Sequence, residues 1–80
     1  MIHCTISPAH IRRGKPGRAD ACPAALALDE QTDAGSVSVR LGCVTLDGKR
    51  YRTPDALAAF VSDFDCGYPV APLTFTLEPL

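Results

Sequence analysis

Asp47-Gly48 is the strongest hairpin signal in the chain, and it commits the residues around it to antiparallel pairing. A two-residue turn of this kind wants both residues at positive φ, which aspartate tolerates and glycine accepts freely. The flanking residues agree. SVSVRL alternates, with Val37, Val39 and Leu41 on one face, and KRYRT returns with Tyr51 on one face and Arg50 and Arg52 on the other. Gly42 breaks the phase, because Val44 and Leu46 fall on the opposite parity. A glycine at a phase slip predicts a bulge or a break into an extra strand.

The remaining elements follow from periodicity and punctuation. Ile2, Cys4 and Ile6 alternate with His3 and Thr5 and predict a first strand. Ser7-Pro8 predicts a helix start, with about one turn in AHIRR before Gly14. GKPGR reads as a loop. Asp20 is placed to cap a second helix, ACPAALALDEQ, whose inward positions are expected at Cys22, Ala25, Leu26 and Asp29. Thr53-Pro54-Asp55 predicts a third helix, with threonine as cap and proline in the first turn. Leu57, Phe60, Val61 and Phe64 form its apolar stripe, and Gly67 its stop. LTFTL predicts a last strand with Leu73, Phe75 and Leu77 inward.

The expected fold is therefore α+β: an antiparallel sheet with two main helices on one face. The first expected order is β-α-β-β-α-β, a split βαβ or ferredoxin-like arrangement, with room for an extra strand at Gly42. The chain has 80 residues and forms one domain, 1–80. The core is expected from Leu57, Phe60, Val61, Phe64, Leu73, Phe75, Leu77, Val37, Val39, Ile2 and Ile6. With 46% apolar and 21% charged residues, the composition is that of a globular protein and excludes a disordered chain. No apolar run is long enough for a membrane span, and MIHCTISP does not read as a leader. A cytoplasmic protein without membrane contact is the expectation. In a reducing compartment Cys4, Cys22, Cys43 and Cys66 are expected as free thiols, mostly packed as small apolar groups.

The formal net charge is −1, but it is uneven. Arg12, Arg13, Lys15 and Arg18 crowd residues 12–18, and every acid lies from Asp20 onward. Such a loop suits phosphates or an acidic protein surface, and the plainer reading is a solvated loop. Nucleic-acid binding through 12–18 is kept as the alternative, weakened by the lack of aromatics to stack on bases. Arg50 and Arg52, with Lys49, make a second basic patch. Asp63 and Asp65 cannot share one helix face, and they oppose the helix dipole. With Glu78 they are expected to form an acidic corner that could meet a basic partner.

Catalysis has thin support, and no enzyme is expected. There is no GxSxG, no phosphate loop and no HExxH. Cys22, near a helix start and close to Arg18, with His10 as a neighbour, could have a lowered thiol pKa. Packing under the helix is the plainer reading. His3, Cys4, His10 and Cys22 could be drawn as a metal set. His3 and Cys4 are adjacent on a strand and point to opposite faces, so neither a metal nor a cofactor is expected.

The runs ISPAHIRRG, CPAALAL, SVSV and YRTPDALAAFVSDFDCGYPVAPLTFTL together resemble an uncharacterised family of small phage and prophage proteins. In that family a short strand and an HI-x-x-G turn precede a CP-x-ALAL helix, and the chain ends in a F-[DE]-x-G-x-P-V-x-P-F-x-F-x-L tail. Here the tail spans Phe64 to Leu77, with Leu73 where the pattern has an aromatic. The resemblance covers nearly the whole chain and brings no established activity. It implies a non-enzymatic interaction protein that covers and disables a host defence complex, a CRISPR effector included. The implied partner is a host protein or protein–RNA complex. The residues expected to meet it, chosen for their charge and expected exposure and not from the resemblance, are Arg12, Arg13, Lys15, Arg18, Arg50, Arg52, Asp63 and Asp65. A homodimer through a sheet edge is a further expectation.

Overall fold

The computed structural model describes residues 1–80. The strands are β1 (Ile2–Ile6), β2 (Val37–Val39), β3 (Cys43–Leu46), β4 (Lys49–Arg52) and β5 (Leu73–Pro79). The helices are α1 (Pro8–Arg13), α2 (Pro23–Gln31) and α3 (Asp55–Asp65). All strand pairs are antiparallel, in the order β1-β5-β4-β3-β2. The α+β class is as expected, and the extra strand falls where Gly42 breaks the phase. Arg40 donates its N–H to the Cys43 carbonyl at 3.0 Å, closing a turn between β2 and β3.

The ferredoxin-like order is not confirmed. The first strand lies at the sheet edge beside the last one, and β2, β3 and β4 form an uninterrupted meander. Two tight turns, at Arg40–Gly42 and Asp47-Gly48, leave no gap for another strand among these three. Only β5, which arrives through the long 66–72 connection, is free to insert. The Asp47-Gly48 turn has the expected positive φ at both residues, 50° and 83°. Asp47 also binds back: its carboxylate accepts the N–H groups of Gly35 and Ser36 at 2.8–3.1 Å.

Alternation gives the sheet one buried and one open face. Cys4, Ile6, Val39, Val44, Leu46, Tyr51, Phe75 and Leu77 point inward to meet α2 and α3. His3, Thr5, Arg50, Arg52, Thr74 and Glu78 lie on the open face, where Nδ1 of His3 is 2.9 Å from the Thr76 hydroxyl. Tyr51 is buried, with the Lys49 ammonium 5.5 Å from its ring centre. From the expected core, Leu57, Phe60, Val61, Phe75, Leu77, Val39 and Ile6 are buried. Phe64, Leu73, Val37 and Ile2 pack at its margin.

The helix starts differ from expectation at two of three places. α1 follows it: Ser7 caps, and the His10 side chain returns to the Ser7 N–H at 2.9 Å, completing a capping box. At α2 the cap position belongs to Cys22, and Asp20 turns instead to Arg18. At α3 the cap position is Pro54, and the Thr53 hydroxyl donates to the Arg40 carbonyl at 2.7 Å. That bond ties the start of α3 to the β2–β3 turn. Gly67, at φ 82°, stops α3 as expected. Tyr68 N–H reaches the Asp63 carbonyl and Gly67 N–H the Phe64 carbonyl, a Schellman closure. Within α2 the inward residues are Pro23, Ala24, Ala25, Ala27 and Leu28. Leu26 is only half-buried and Asp29 is exposed. The helix is covered by α1 on one side and by β1 and β2 on another, so it buries more than one stripe.

Candidate interaction surface

The segment after α1 is a fastened loop rather than a flexible one. Lys15 N–H donates to the Ala21 carbonyl at 2.9 Å, and Cys22 N–H to the Arg18 carbonyl at 3.0 Å. Gly17 N–H donates to Oδ1 of Asp65 at 2.9 Å, and Val39 N–H to the Ala19 carbonyl at 2.9 Å. The loop is thus tied to itself, to the end of α3 and to the edge of β2. Gly17 sits at φ 73°, a conformation other residues adopt only at a cost. Partners on distant elements meet its backbone groups: Asp65 takes the Gly17 N–H, and Val39 N–H reaches the Ala19 carbonyl.

The basic residues of 12–18 divide once they are placed. Arg12 and Arg13 belong to the last turn of α1, not to the loop. Arg13 lies 3.7 Å from Glu30, whose same oxygen takes a bond from Nε2 of the buried His10 at 3.3 Å. Arg18 Nε donates to Asp20 at 3.3 Å. These pairs are exposed at the arginine side, so they hold orientation more than they stabilise. Arg12 and Lys15 stand outside the ion pairs.

Two residues absent from the expected set join this surface. Arg40 and Leu41 on the β2–β3 turn line a depression of about 190 Å³ with Gly17, Arg18 and Ala19 of the loop. Its remaining wall includes Cys22, Val61 and Asp65. Leu41 was expected on the inner face with Val37 and Val39, but the strand ends at Val39 and leaves Leu41 58% exposed. The signal was present in the phase slip at Gly42. It was read as a strand feature and not as a tip that presents its neighbours.

The other expected residues do not converge on this place. Arg50 and Arg52 lie on the open sheet face, opposite Thr45 and Cys43, and Arg52 also faces Glu78. The expected acidic corner is not one site. Asp65 is engaged by Gly17 beside the basic loop. Asp63 lies in a groove with Ala59 and Leu73, and Glu78 in a third depression with Arg52 and Asp55. The helix carries Asp63 and Asp65 to diverging faces, and β5 ends far from both.

No protein-family model, curated protein or solved structure matches this chain. The surface therefore has to be read from its own chemistry. No helix is long and apolar enough to cross a membrane.

The two buried thiols are not activated nucleophiles. The four cysteines are unpaired, and Cys22 is buried, with its thiol pushed up by that burial. The helix start does not overcome desolvation. Cys4 is pushed up to about 11 for the same reason, assisted by the negative charge of Glu30. A thiol-specific reagent should modify exposed Cys66 first and half-buried Cys43 more slowly. Cys4 and Cys22 should react only on unfolding, and Cys22 labelling at the rate of Cys66 would contradict this. Because the folded state holds these protons more tightly, it is the unfolded chain that gains by releasing them. Stability should be complete below the ordinary thiol value of 9.0 and fall as pH rises from there toward 11. Denaturant midpoints measured across that window, for the wild type and Cys4→Ala, check the sign.

Proposed function

We propose that this chain is a small interaction protein that docks on an acidic surface of its partner through the fastened loop and the β2–β3 turn. The observation that carries the reading is the Val39–Ala19 backbone bond. It sets Arg18 and Arg40 beside an exposed leucine on two hydrogen-bonded segments. An apolar knob flanked by guanidinium groups has the composition of an interface centre, where arginine and desolvated apolar groups dominate the binding energy. Fixing the loop beforehand spares part of the ordering cost of association.

The sequence resemblance supplies the context of the proposal: a phage-type protein acting in the host cytoplasm, whose partner is a host defence complex, blocked by steric cover. A CRISPR effector is one such target. The decisive experiment is co-purification from bacterial cells carrying such a defence system, with the double substitution Arg18→Glu, Arg40→Glu. The expected result is loss of the partner and of relief from the defence, with the thermal midpoint of the variant unchanged. Retention of both by the double variant would sink the proposal.

The nucleic-acid reading is favoured by one observation, that Arg12 and Lys15 are free of ion pairs. On this reading, DNA or RNA binding weakens steeply with salt. Arg12→Ala with Lys15→Ala flattens the log–log slope by about two, roughly one for each phosphate contact. No binding at low salt ends it.

A further inference from the structure

One edge of β5 is filled along its length, and the other is half empty. On the β1 side, Thr5 turns its N–H and carbonyl outward to the Gln31 amide, at 2.9 and 2.7 Å. The pairs Cys4–Phe75 and Ile2–Leu77 therefore exchange the ladder bonds, and Thr74, Thr76 and Glu78 point their backbone groups away from β1. β4 takes up this second edge only at Arg52–Glu78 and Tyr51–Pro79, with Leu80 N–H donating to the Arg50 carbonyl at 3.2 Å. The next residue in register, opposite Thr76, is Pro54. It has no N–H to offer, its carbonyl accepts from Ala58 at 2.9 Å, and the chain leaves the sheet into α3. The N–H and carbonyl groups of Thr74 and Thr76 are left without a partner in the fold.

The surroundings leave space at this edge. A cleft of about 260 Å³ lies between Pro54 and Asp55 on one side and Thr76 and Glu78 on the other. A second depression, of about 300 Å³, lies between Ala56 and Ala59 of α3 and the Pro72-Leu73 start of β5. α3 thus runs beside the unpaired edge and presents exposed alanines toward it. A backbone edge next to a helix of small residues is the setting in which a peptide adds to a sheet as a new strand.

We propose that this gap receives an extended segment of a partner protein, which pairs with Thr74 and Thr76 and lies between β5 and α3. This is a second contact, separate from the basic surface. Partner residues opposite Thr74 and Thr76 exchange four hydrogen bonds with them. The residue between these two, opposite Phe75, turns its side chain to the inner side, toward Ala56, Ala59 and Leu73. The fitting segment is therefore polar, apolar, polar. A second copy of this chain does not fit. Its own unpaired edge is recessed between β4 and α3, so two such edges cannot meet. On each of its outer strands one of the two outward-facing residues is already engaged, Thr5 by Gln31 and Val39 by Ala19, so neither strand offers the two free residues that pairing with Thr74 and Thr76 needs.

The test is to pan a random seven-residue display library on the full chain and to synthesise the most enriched peptide. Three forms are compared: unmodified, N-methylated at the two residues facing Thr74 and Thr76, and N-methylated at the residue between them. The unmodified peptide should shift the Thr74 and Thr76 amide resonances and slow their hydrogen exchange. Methylation at the facing residues should weaken binding roughly tenfold or more, as expected for two lost hydrogen bonds. Methylation between them should be tolerated. Ala59→Arg, an exposed change that leaves the core alone, should weaken the unmodified peptide too. The proposal is overturned if no peptide is enriched over a blank surface or if the enriched peptides perturb other residues. Binding that ignores the position of the methyl group also overturns it.

Discussion

Leu28→Ala should cost about 2–5 kcal/mol, the range for truncating a fully buried leucine. An 80-residue domain has roughly 4–12 kcal/mol to lose. The effect should sit high in its range because of what surrounds Leu28. The other inward residues of α2 are Pro23, Ala24, Ala25 and Ala27, all small, so Leu28 is the one large side chain fully buried from this helix. A helix of 9 residues does not hold itself together in water and depends on that anchor. Urea unfolding should show the midpoint falling by a third or more with the slope unchanged. Leu26→Ala, at the half-buried position that spacing alone had placed inward, should cost clearly less. Equal losses at Leu26 and Leu28 would mean that α2 is rotated from the arrangement described.

Gly14→Ala should be the next most damaging single change, for a reason unrelated to glycine's flexibility. Gly14 has φ −66° and ψ 151°, which any residue adopts. A Cβ added there would lie 2.5 Å from Cδ of Pro23, 2.6 Å from Cγ and 2.7 Å from the proline nitrogen. The Pro23 ring is buried and cannot rotate aside, so α1 and α2 must separate. Overpacking of this kind costs about 1–3 kcal/mol and more where the obstacle is rigid. Two controls isolate the cause. Gly17→Ala meets no atoms but sits at φ 73°, and should cost about 1–2 kcal/mol from left-handed backbone strain. Gly42→Ala meets neither obstacle and should stay within about 0.5 kcal/mol of the wild type. Thermal midpoints in the order Gly42→Ala, Gly17→Ala, Gly14→Ala, from highest to lowest, check the argument. A Gly14→Ala midpoint equal to that of Gly42→Ala would refute it.

The same two residues show how far the chain could be read in advance. Gly14 was legible as a helix stop, because local pattern marks where a helix ends. Its contact with Pro23 was not, since no local rule reports what lies across from a backbone atom. Thr53 and Asp20 had the chemistry of helix caps. Each found a better partner, Arg40 and Arg18, one of them on another element. The alanines of α2 suggested close approach without naming the face, because a helix covered on two sides loses a single apolar stripe.

For the proposed interaction surface, sequence reading saw the cations of 12–18 as a concentration along the chain. It could not say which were already paired, nor that Asp65 is occupied in holding the loop. It did not name Arg40 and Leu41, which are remote from the loop in the chain and come beside it where Val39 N–H meets the Ala19 carbonyl.

By itself, the sequence determined what depends on neighbours along the chain. The Asp47-Gly48 turn, the alternating strands, the start of α1, the end of α3 and the α+β class all follow from φ preferences and side-chain period. Tertiary structure decided everything that depends on which elements meet. It placed β5 between β1 and β4, fastened the basic loop, separated Asp63, Asp65 and Glu78, and left Thr74 and Thr76 unpaired. Side-chain period selects the face a residue presents. The order of strands is selected by loop length and burial competing across the whole chain, and no short stretch contains that competition.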